Sequence, residues 1–214
     1  MIPPHRDTGQ AFPIYLTVVA GLLFLALAYL AVGQAAVNRS GAQTAADAAA
    51  LAAAQQTRDQ LAALWLEDLR DPAKWQAIFE GAGADDFCWR ADQLAAQNDA
   101  TVRCSFQPPL RYAVDARTNK SVGDSVVPGT ENVHATAHAT AVIEPLCLPP
   151  SDARTRADDK DDKDDKDGKG EGDTLPQLTC ADKVWHPKPG DTTGLPGPED
   201  LFDVHLADSP ANDR

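Results

Sequence analysis

An uninterrupted apolar segment near the amino terminus most constrains how this chain can fold. Residues 11–38 contain no charged side chain, and the strongly apolar stretch 14–32 has 19 residues. At a helical rise of about 1.5 Å per residue, this stretch spans about 28 Å, close to the roughly 30 Å hydrocarbon core of a bilayer. A buried helix of a globular protein normally carries a polar face at this length, and this segment has none. The pattern predicts a transmembrane helix at 11–36.

A cleaved signal peptide is the alternative interpretation of the same segment. The apolar core of a signal peptide is usually about 7–15 residues long, shorter than this one. Ala31 and Gly33 are nevertheless small residues of the kind found at cleavage sites. The positive-inside rule hardly discriminates orientation, because Arg6 and Arg39 lie on opposite sides of the segment. The cysteines and the acidic remainder favour a single-pass cell-membrane protein with a cytoplasmic tail at 1–10 and an extracytoplasmic carboxyl terminus.

The charge balance disfavours two classes of partner. The chain has 19 Lys and Arg against 32 Asp and Glu, a formal net charge of −13. Nucleic acid and anionic lipid headgroups both require a surplus of basic side chains, so the charge disfavours both, and we expect no nucleic-acid partner. Residues 158–173 read DDKDDKDDKDGKGEGD, with nine acidic and four basic side chains. A segment of this composition cannot bury enough apolar surface to offset its ordering entropy, so 149–174 is predicted to be a disordered acidic tract.

Four cysteines, Cys88, Cys104, Cys147 and Cys180, occur without a C-x-x-C pair. In an oxidising compartment this pattern favours two disulfides over reduced thiols or a metal site. We predict the pair Cys88–Cys104, because a strand that runs back beside a short helix would bring them together. We also predict the pair Cys147–Cys180, because these two residues flank the acidic tract.

The helical pattern continues beyond the membrane segment, over 37–70. From residue 34 to 69 there is no proline and one glycine, Gly41, and good helix formers dominate. Alanines recur there at four-residue spacing in two rows, which are Ala45, Ala49 and Ala53, and Ala42, Ala46, Ala50 and Ala54. Rows of small side chains let another helix approach closely, so we predict a helix-packing face. An alanine-rich helix without a partner is the alternative.

Shorter elements are predicted farther along the chain. One helix begins at Asp71–Pro72 and ends at Gly81; a second is capped by Asp85 or Asp86 and ends with Asn98 in a left-handed conformation. The alternation of apolar and polar residues predicts short strands at 101–105, 111–115, 133–143 and 201–206. The predicted fold class is α+β: a long transmembrane helix extended as a stalk, then a small pilin-like domain at 71–148 with a few antiparallel strands, the acidic loop, and a carboxyl-terminal segment at 175–214.

The sequence contains no recognisable catalytic or metal-binding motif, so we expect no enzyme activity, no cofactor and no metal. His134 and His138 have the spacing of zinc ligands on a helix, but on a strand they would be about 13 Å apart. A calcium loop with Gly168 at its sixth place would put Lys163 first and Thr174 twelfth, and neither is a suitable ligand. Asp47 lacks an evident catalytic partner.

Two segments resemble a known family. Residues 9–13 (GQAFP), the apolar helix, and residues 42–54 (AQTAADAAALAAA) together resemble the amino-terminal domain of TadE/TadG-like Flp pilus-assembly proteins. The resemblance covers about the first 55 residues. Farther on, the helix ending LAAQN, nearby Cys104 and the alternating Ala/Thr strand are similar to minor pilins of that system.

The resemblance implies a non-catalytic, membrane-anchored minor pilin-like component of a tight-adherence pilus or a related secretion apparatus. Its expected partners are other pilin-like helices, tight-adherence assembly proteins and the lipid bilayer, with homo- or hetero-oligomers among the arrangements it allows. Gly9 is the candidate processing site, but prepilin-peptidase sites resemble Gly followed by Glu at the fifth place, where this chain has Ile14. We therefore expect an intact amino terminus. The alternative function is a membrane-tethered exported binding or envelope protein unrelated to pili.

Overall fold

A single long helix organises the molecule. The structure, a computed structural model, describes residues 11–121, 132–148, 175–181, 183–188 and 194–207. Helix α1 covers Ala11–Glu67, 57 residues, and is therefore about 85 Å long. Its large apolar side chains are exposed as far as Val37, whereas burial begins at Ala42. The prediction of a helix that continues well past the apolar segment is confirmed.

The remaining elements form a small α+β head on the second half of α1. In chain order they are α2 (Pro72–Phe79), α3 (Cys88–Gln97), β1 (Ala100–Gln107), β2 (Arg111–Ser121), β3 (His134–Pro145), β4 (Cys147–Leu148), β5 (Leu178–Cys180), β6 (Lys183–Trp185), α4 (Pro198–Leu201) and β7 (Phe202–Leu206). The predicted fold class is confirmed. The predicted acidic loop and the amino-terminal tail lie outside the described residues.

The ends of the two predicted helices follow local rules, with two corrections. The N-cap of α3 is Phe87 rather than Asp85 or Asp86, although the Asp86 carboxylate accepts from the Cys88 N–H at 2.8 Å. Helix α2 starts at Pro72, whose missing N–H costs nothing in a first turn. The chain leaves α2 through Gly81 at φ +94°, a conformation that glycine adopts without strain. The prediction that Asn98 is left-handed was wrong: its φ is −102°, and Asp99 at φ +53° takes that role. The Asn98 side-chain amide donates to the Leu94 carbonyl at 2.8 Å instead.

Four antiparallel strands form the main sheet, in the order β1-β2-β3-β7. Strands β1 and β2 are longer than predicted, because their alternation of inward and outward side chains continues to Gln107 and Ser121. The predicted strand at 201–206 begins one residue later, since Leu201 ends α4. A second, three-stranded sheet, β4-β5-β6, was not predicted; strands of two or three residues are too short to show alternation.

The inner face of the main sheet packs on α1 and α3. Tyr112, Val114, Ala139 and Ala141 point inward and are buried, whereas His138 points outward. This is the division of β3 into apolar and polar faces that its alternation predicts. Two aromatic pairs lie in the core near the carboxyl-terminal end of α1, with ring centroids 5.5 Å apart for Trp65–Trp75 and 5.6 Å apart for Phe79–Phe202.

The alanine rows of α1 lie inside this core. All seven side chains (Ala42, Ala45, Ala46, Ala49, Ala50, Ala53 and Ala54) are 0% exposed. Helix α1 makes its most extensive tertiary contacts with β3, α3 and β2. The rows do permit close approach, but the elements that approach belong to the same chain. The expectation that they receive a helix of another protein is corrected accordingly, since their surface is already covered.

Candidate functional site

The apolar half of α1, residues 12–37, carries most of the large exposed apolar side chains of the described structure. Apolar side chains project from all sides of it, including Phe24 at 71% exposure and Tyr29 at 81%. Its most apolar window has a mean hydropathy of 2.4 and no buried residue. By length and composition it is the one described helix able to cross a membrane. A solvated helix of this kind would be costly, so this half needs an apolar environment.

The polar groups within the apolar half suit a lipid environment. A hydroxyl without a partner is expensive in hydrocarbon, and Thr17 Oγ1 donates to the Ile14 carbonyl at 2.8 Å. Tyr15 and Tyr29 lie 14 residues apart, about 21 Å along the helix. Tyrosine is enriched where hydrocarbon meets headgroups, since its ring is apolar and its hydroxyl is polar. The two rings therefore lie near the two ends of the apolar stretch.

The junction between the apolar half and the head lies at the first buried turn of α1. Gln43 Nε2 donates to Asp47 Oδ1 at 2.8 Å and reaches the His138 carbonyl oxygen at 3.5 Å. Asp47 therefore has the Gln43 side chain as its hydrogen-bond partner, and we interpret this pair as structural. The second contact connects the start of the buried half of α1, residues 42–67, to strand β3. Helix α1 runs without a break from the apolar half into the head.

A buried hydroxyl network holds α1 to the sheet near the other end. Tyr112 Oη lies 2.7 Å from Thr57 Oγ1, accepts from the Phe87 N–H at 3.0 Å and lies 3.1 Å from the Asp85 carbonyl oxygen. Thr57 Oγ1 also reaches the Ala53 carbonyl at 3.3 Å. Burial raises the pKa of Tyr112 above its usual value, against the opposing effect of the Thr57 hydrogen bond. Local sequence patterns do not reveal this network, because its members are far apart in the chain.

Two disulfides connect elements of the head. Cys88 at the start of α3 is bonded to Cys104 in β1, with Cα atoms 5.5 Å apart. Cys147 in β4 is bonded to Cys180 in β5, with Cα atoms 3.9 Å apart. The pairing is the one expected from the sequence. The first bond fastens α3 to the main sheet. The second connects β4 and β5, the strands that come before and after the acidic tract.

The polar outer face of the main sheet carries the histidines singled out in the sequence. His138 Nδ1 lies 3.0 Å from Asp115 Oδ1, and His138 Nε2 lies 3.3 Å from Thr140 Oγ1. His134 Nδ1 lies 2.8 Å from the Thr118 carbonyl, so the two histidines have separate partners. No group of three or more His, Cys, Asp or Glu side chains that could hold a metal ion occurs in the described part of the chain.

The comparison with protein families identifies the segment that contains the apolar half and the alanine rows. Residues 9–56 match the model of the Flp pilus-assembly TadE/G-like family (Tad). This segment, about a quarter of the chain, is similar to that family. No curated protein and no solved structure matches the chain.

The described part of the matched segment, residues 11–56, lies in α1. The match ends at residue 56, one residue before Thr57 and the hydroxyl network, so the sheet, α2 and α3 lie outside it. Gly9 falls within the match but outside the described residues, so the intact amino terminus remains a prediction. The match supports a pilus-related role, because the family is one of pilus-assembly components.

Proposed function

We propose that this chain is a non-catalytic, membrane-anchored, minor pilin-like component of a tight-adherence pilus or a related secretion apparatus. One observation carries the proposal: a single helix exposes apolar side chains along its first half and forms the core of a disulfide-bonded head with its second half. Because both halves belong to one helix, the position of the membrane anchor sets the position of the head. The TadE/G-like match over the same helix supports the pilus-related part of the proposal.

The proposed topology places the amino terminus in the cytoplasm and the head outside the cell membrane. Disulfides persist in oxidising compartments and are rare in the cytosol. Both bonds lie in the head, on the carboxyl-terminal side of the apolar half. The chain would then cross the membrane once, with the head and the acidic tract on the outer side.

The surface proposed to meet other pilin-like helices is the apolar half. The alanine rows are covered by the chain's own sheet and α3, which supports residues 12–37 as the surface for close helix–helix contacts with partners. In lipid, such contacts are driven by side-chain packing and by close backbone approach. Gly21 and Gly33 each have open space where a side chain would project, which leaves room for a neighbouring helix.

No catalytic role forms part of the proposal. The His138–Asp115 pair resembles an acid–base arrangement, but both side chains are more than half exposed. General acid–base groups are usually shielded from water and tuned by their surroundings. The pair lies at an open depression of about 680 Å³ on the sheet face, and we interpret it as a solvated hydrogen-bonded pair.

Site-directed photo-crosslinking tests the proposal in cells that assemble Flp pili. A benzoylphenylalanine replaces Phe24 in the apolar half or, as the control, the 56% exposed Trp89 in the head. We expect Phe24 to cross-link to membrane proteins of the pilus apparatus, and Trp89 to give a different set of products. Deleting the gene should abolish or shorten the pili, and the full chain should restore them.

The same experiment separates the alternative function. Normal pili in the deletion strain, with no cross-link from Phe24 to any pilus-assembly protein, would contradict the proposal. That result would favour a membrane-tethered exported binding or envelope protein. Cross-links from Phe24 to soluble cytoplasmic or periplasmic proteins alone would contradict the membrane anchoring itself.

A further inference from the structure

Contacts between α1 and α3 establish which end of the head lies nearest the apolar half. Gln60 Nε2 donates to Asp85 Oδ2 at 2.6 Å, just before α3 begins. Farther along α3, Leu94 lines the same groove as Ala48 and Leu51. Helix α3 therefore runs antiparallel to α1, toward the apolar half, and its carboxyl-terminal end is the end closest to that half.

Contacts with α1 also give the direction of strands β2 and β3. The His138 carbonyl is level with Gln43, the second residue of the buried half. Tyr112, which pairs with Ala141 farther along β3, reaches Thr57. Strand β3 therefore starts near the apolar half and runs away from it, and antiparallel β2 ends near the apolar half. We call residues 98–103, 117–121 and 134–138 the proximal end of the head.

The length of α1 sets the distance between the proximal end and the bilayer. About ten residues separate the end of the strongly apolar stretch at Val32 from the first buried residue, Ala42. At about 1.5 Å per residue this is about 15 Å. Headgroups extend roughly 5–8 Å beyond the hydrocarbon on each side. The proximal end of the head is thus held within reach of the headgroup layer.

Charge is distributed unevenly between the two ends. At the proximal end, Arg117 is exposed and has no ion-pair partner among the described residues, and Lys120 Nζ lies 2.9 Å from Asp99 Oδ2. Arg39 is exposed on the helix between the apolar half and the head. The opposite end of the head is rich in carboxylates, which include Glu67, Asp68, Asp71, Glu80, Asp85, Asp86, Glu144 and Asp203.

The acidic tract is attached at this opposite end. It follows β4, which comes directly after the far end of β3 at Pro145. The acidic end lies about 25 residues of α1 beyond Ala42, or about 37 Å, several times the Debye length of about 8 Å at physiological ionic strength. The net charge of −13 disfavours contact with anionic lipid when the chain is taken as a whole. At this distance, however, a negatively charged membrane surface would repel the acidic end little and would act mainly on the proximal end.

We propose that the proximal end of the head docks on anionic lipid headgroups of the membrane that α1 crosses, with Arg117 as its principal contact. The inference rests on the proposed membrane anchoring, and it adds a preferred orientation and a lipid preference of the head. Arg117 is suited to this contact because a guanidinium can donate two parallel hydrogen bonds to a phosphate. Residues 122–131 contain Asp124 and Glu131, so the test keeps this segment unchanged and varies single arginines.

The test measures the distance of the head from the bilayer in the full chain. A fluorescent amino acid replaces Thr136, which pairs with Arg117 on the exposed sheet face. The protein is reconstituted in bilayers of phosphatidylcholine alone or with added phosphatidylglycerol, each containing a lipid with a spin label at its headgroup. Arg117→Gln is compared with Arg111→Gln, a matched change on the same strand and the same exposed face, at the far end.

We expect stronger quenching at position 136 in the anionic bilayer, and loss of the difference in high salt. Arg117→Gln should lower the ratio of docked to undocked heads about fivefold, since one basic side chain near anionic lipid contributes about 1 kcal/mol; Arg111→Gln should match the wild type. Equal quenching in both bilayers, or equal effects of the two substitutions, would overturn the inference. Resistance to alkaline extraction, checked first, separates this failure from a failure of the proposed anchoring.

Discussion

The buried contact between Thr57 and Tyr112 offers the sharpest test of how α1 is fastened to the head. Tyr112→Phe removes the acceptor of the Phe87 N–H and the partner of the Thr57 hydroxyl. Leaving a buried polar group without a partner costs about 1–3 kcal/mol. We therefore expect Tyr112→Phe to lower the free energy of unfolding by about 2 kcal/mol.

Thr57→Val keeps the volume of the side chain and removes only its hydroxyl. Tyr112 Oη then retains the Phe87 N–H and the Asp85 carbonyl as partners, so we expect a loss of about 1 kcal/mol. The double variant loses the shared hydrogen bond only once. Its total loss should therefore be smaller than the sum of the single losses by about 0.5–1.5 kcal/mol.

Denaturant unfolding of the full chain in detergent micelles, with both disulfides intact, measures these differences through near-ultraviolet circular dichroism. Tyr29→Phe is the control, because Tyr29 is 81% exposed in the apolar half and has no part in the head. It should unfold like the wild type. A Tyr112→Phe variant within about 0.5 kcal/mol of the wild type, or single losses that add without a coupling term, would refute the network as an anchor of α1.

Three further predictions concern the core, a titration and the acidic tract. Ala49→Leu should cost about 1–3 kcal/mol by overpacking the core, whereas Ala63→Leu on the exposed side of the same helix should change stability by less than about 0.5 kcal/mol; equal effects in thermal denaturation would place Ala49 outside the core. Because burial raises the pKa of Tyr112 above its ordinary value of 10.0, the folded chain keeps a proton that the unfolded chain loses, so this group lowers stability only as the pH rises above 10; the same decline in Tyr112→Phe, in denaturant titrations at pH 9 to 11, would contradict this. Deleting 158–173 should change the free energy of unfolding by less than about 1 kcal/mol, and a larger loss in calorimetry would show that the tract stabilises the fold.

The amino-acid sequence by itself determined the elements that have a strong local pattern. A charge-free apolar stretch followed by alanine-rich helix formers predicts one long helix, and α1 is that helix. Period-two alternation of apolar and polar residues predicts the two faces of β3, with Ala139 and Ala141 inward and His138 outward. These features depend on side-chain spacing within one element, so they can be recognised without knowing what lies opposite.

Features that involve two distant segments required the tertiary structure. The alanine rows showed that something approaches α1 closely, but small side chains fit a helix of another chain or a sheet of the same chain equally well; the structure covers Ala49 with the chain's own head. The contact between Thr57 and Tyr112, 55 residues apart, has no local signal. Asp99 rather than Asn98 is left-handed, and the Asn98 side chain hydrogen-bonds back to the Leu94 carbonyl, a contact that the sequence did not indicate. Periodicity specifies which face of an element is buried, and only the packed fold specifies its partner.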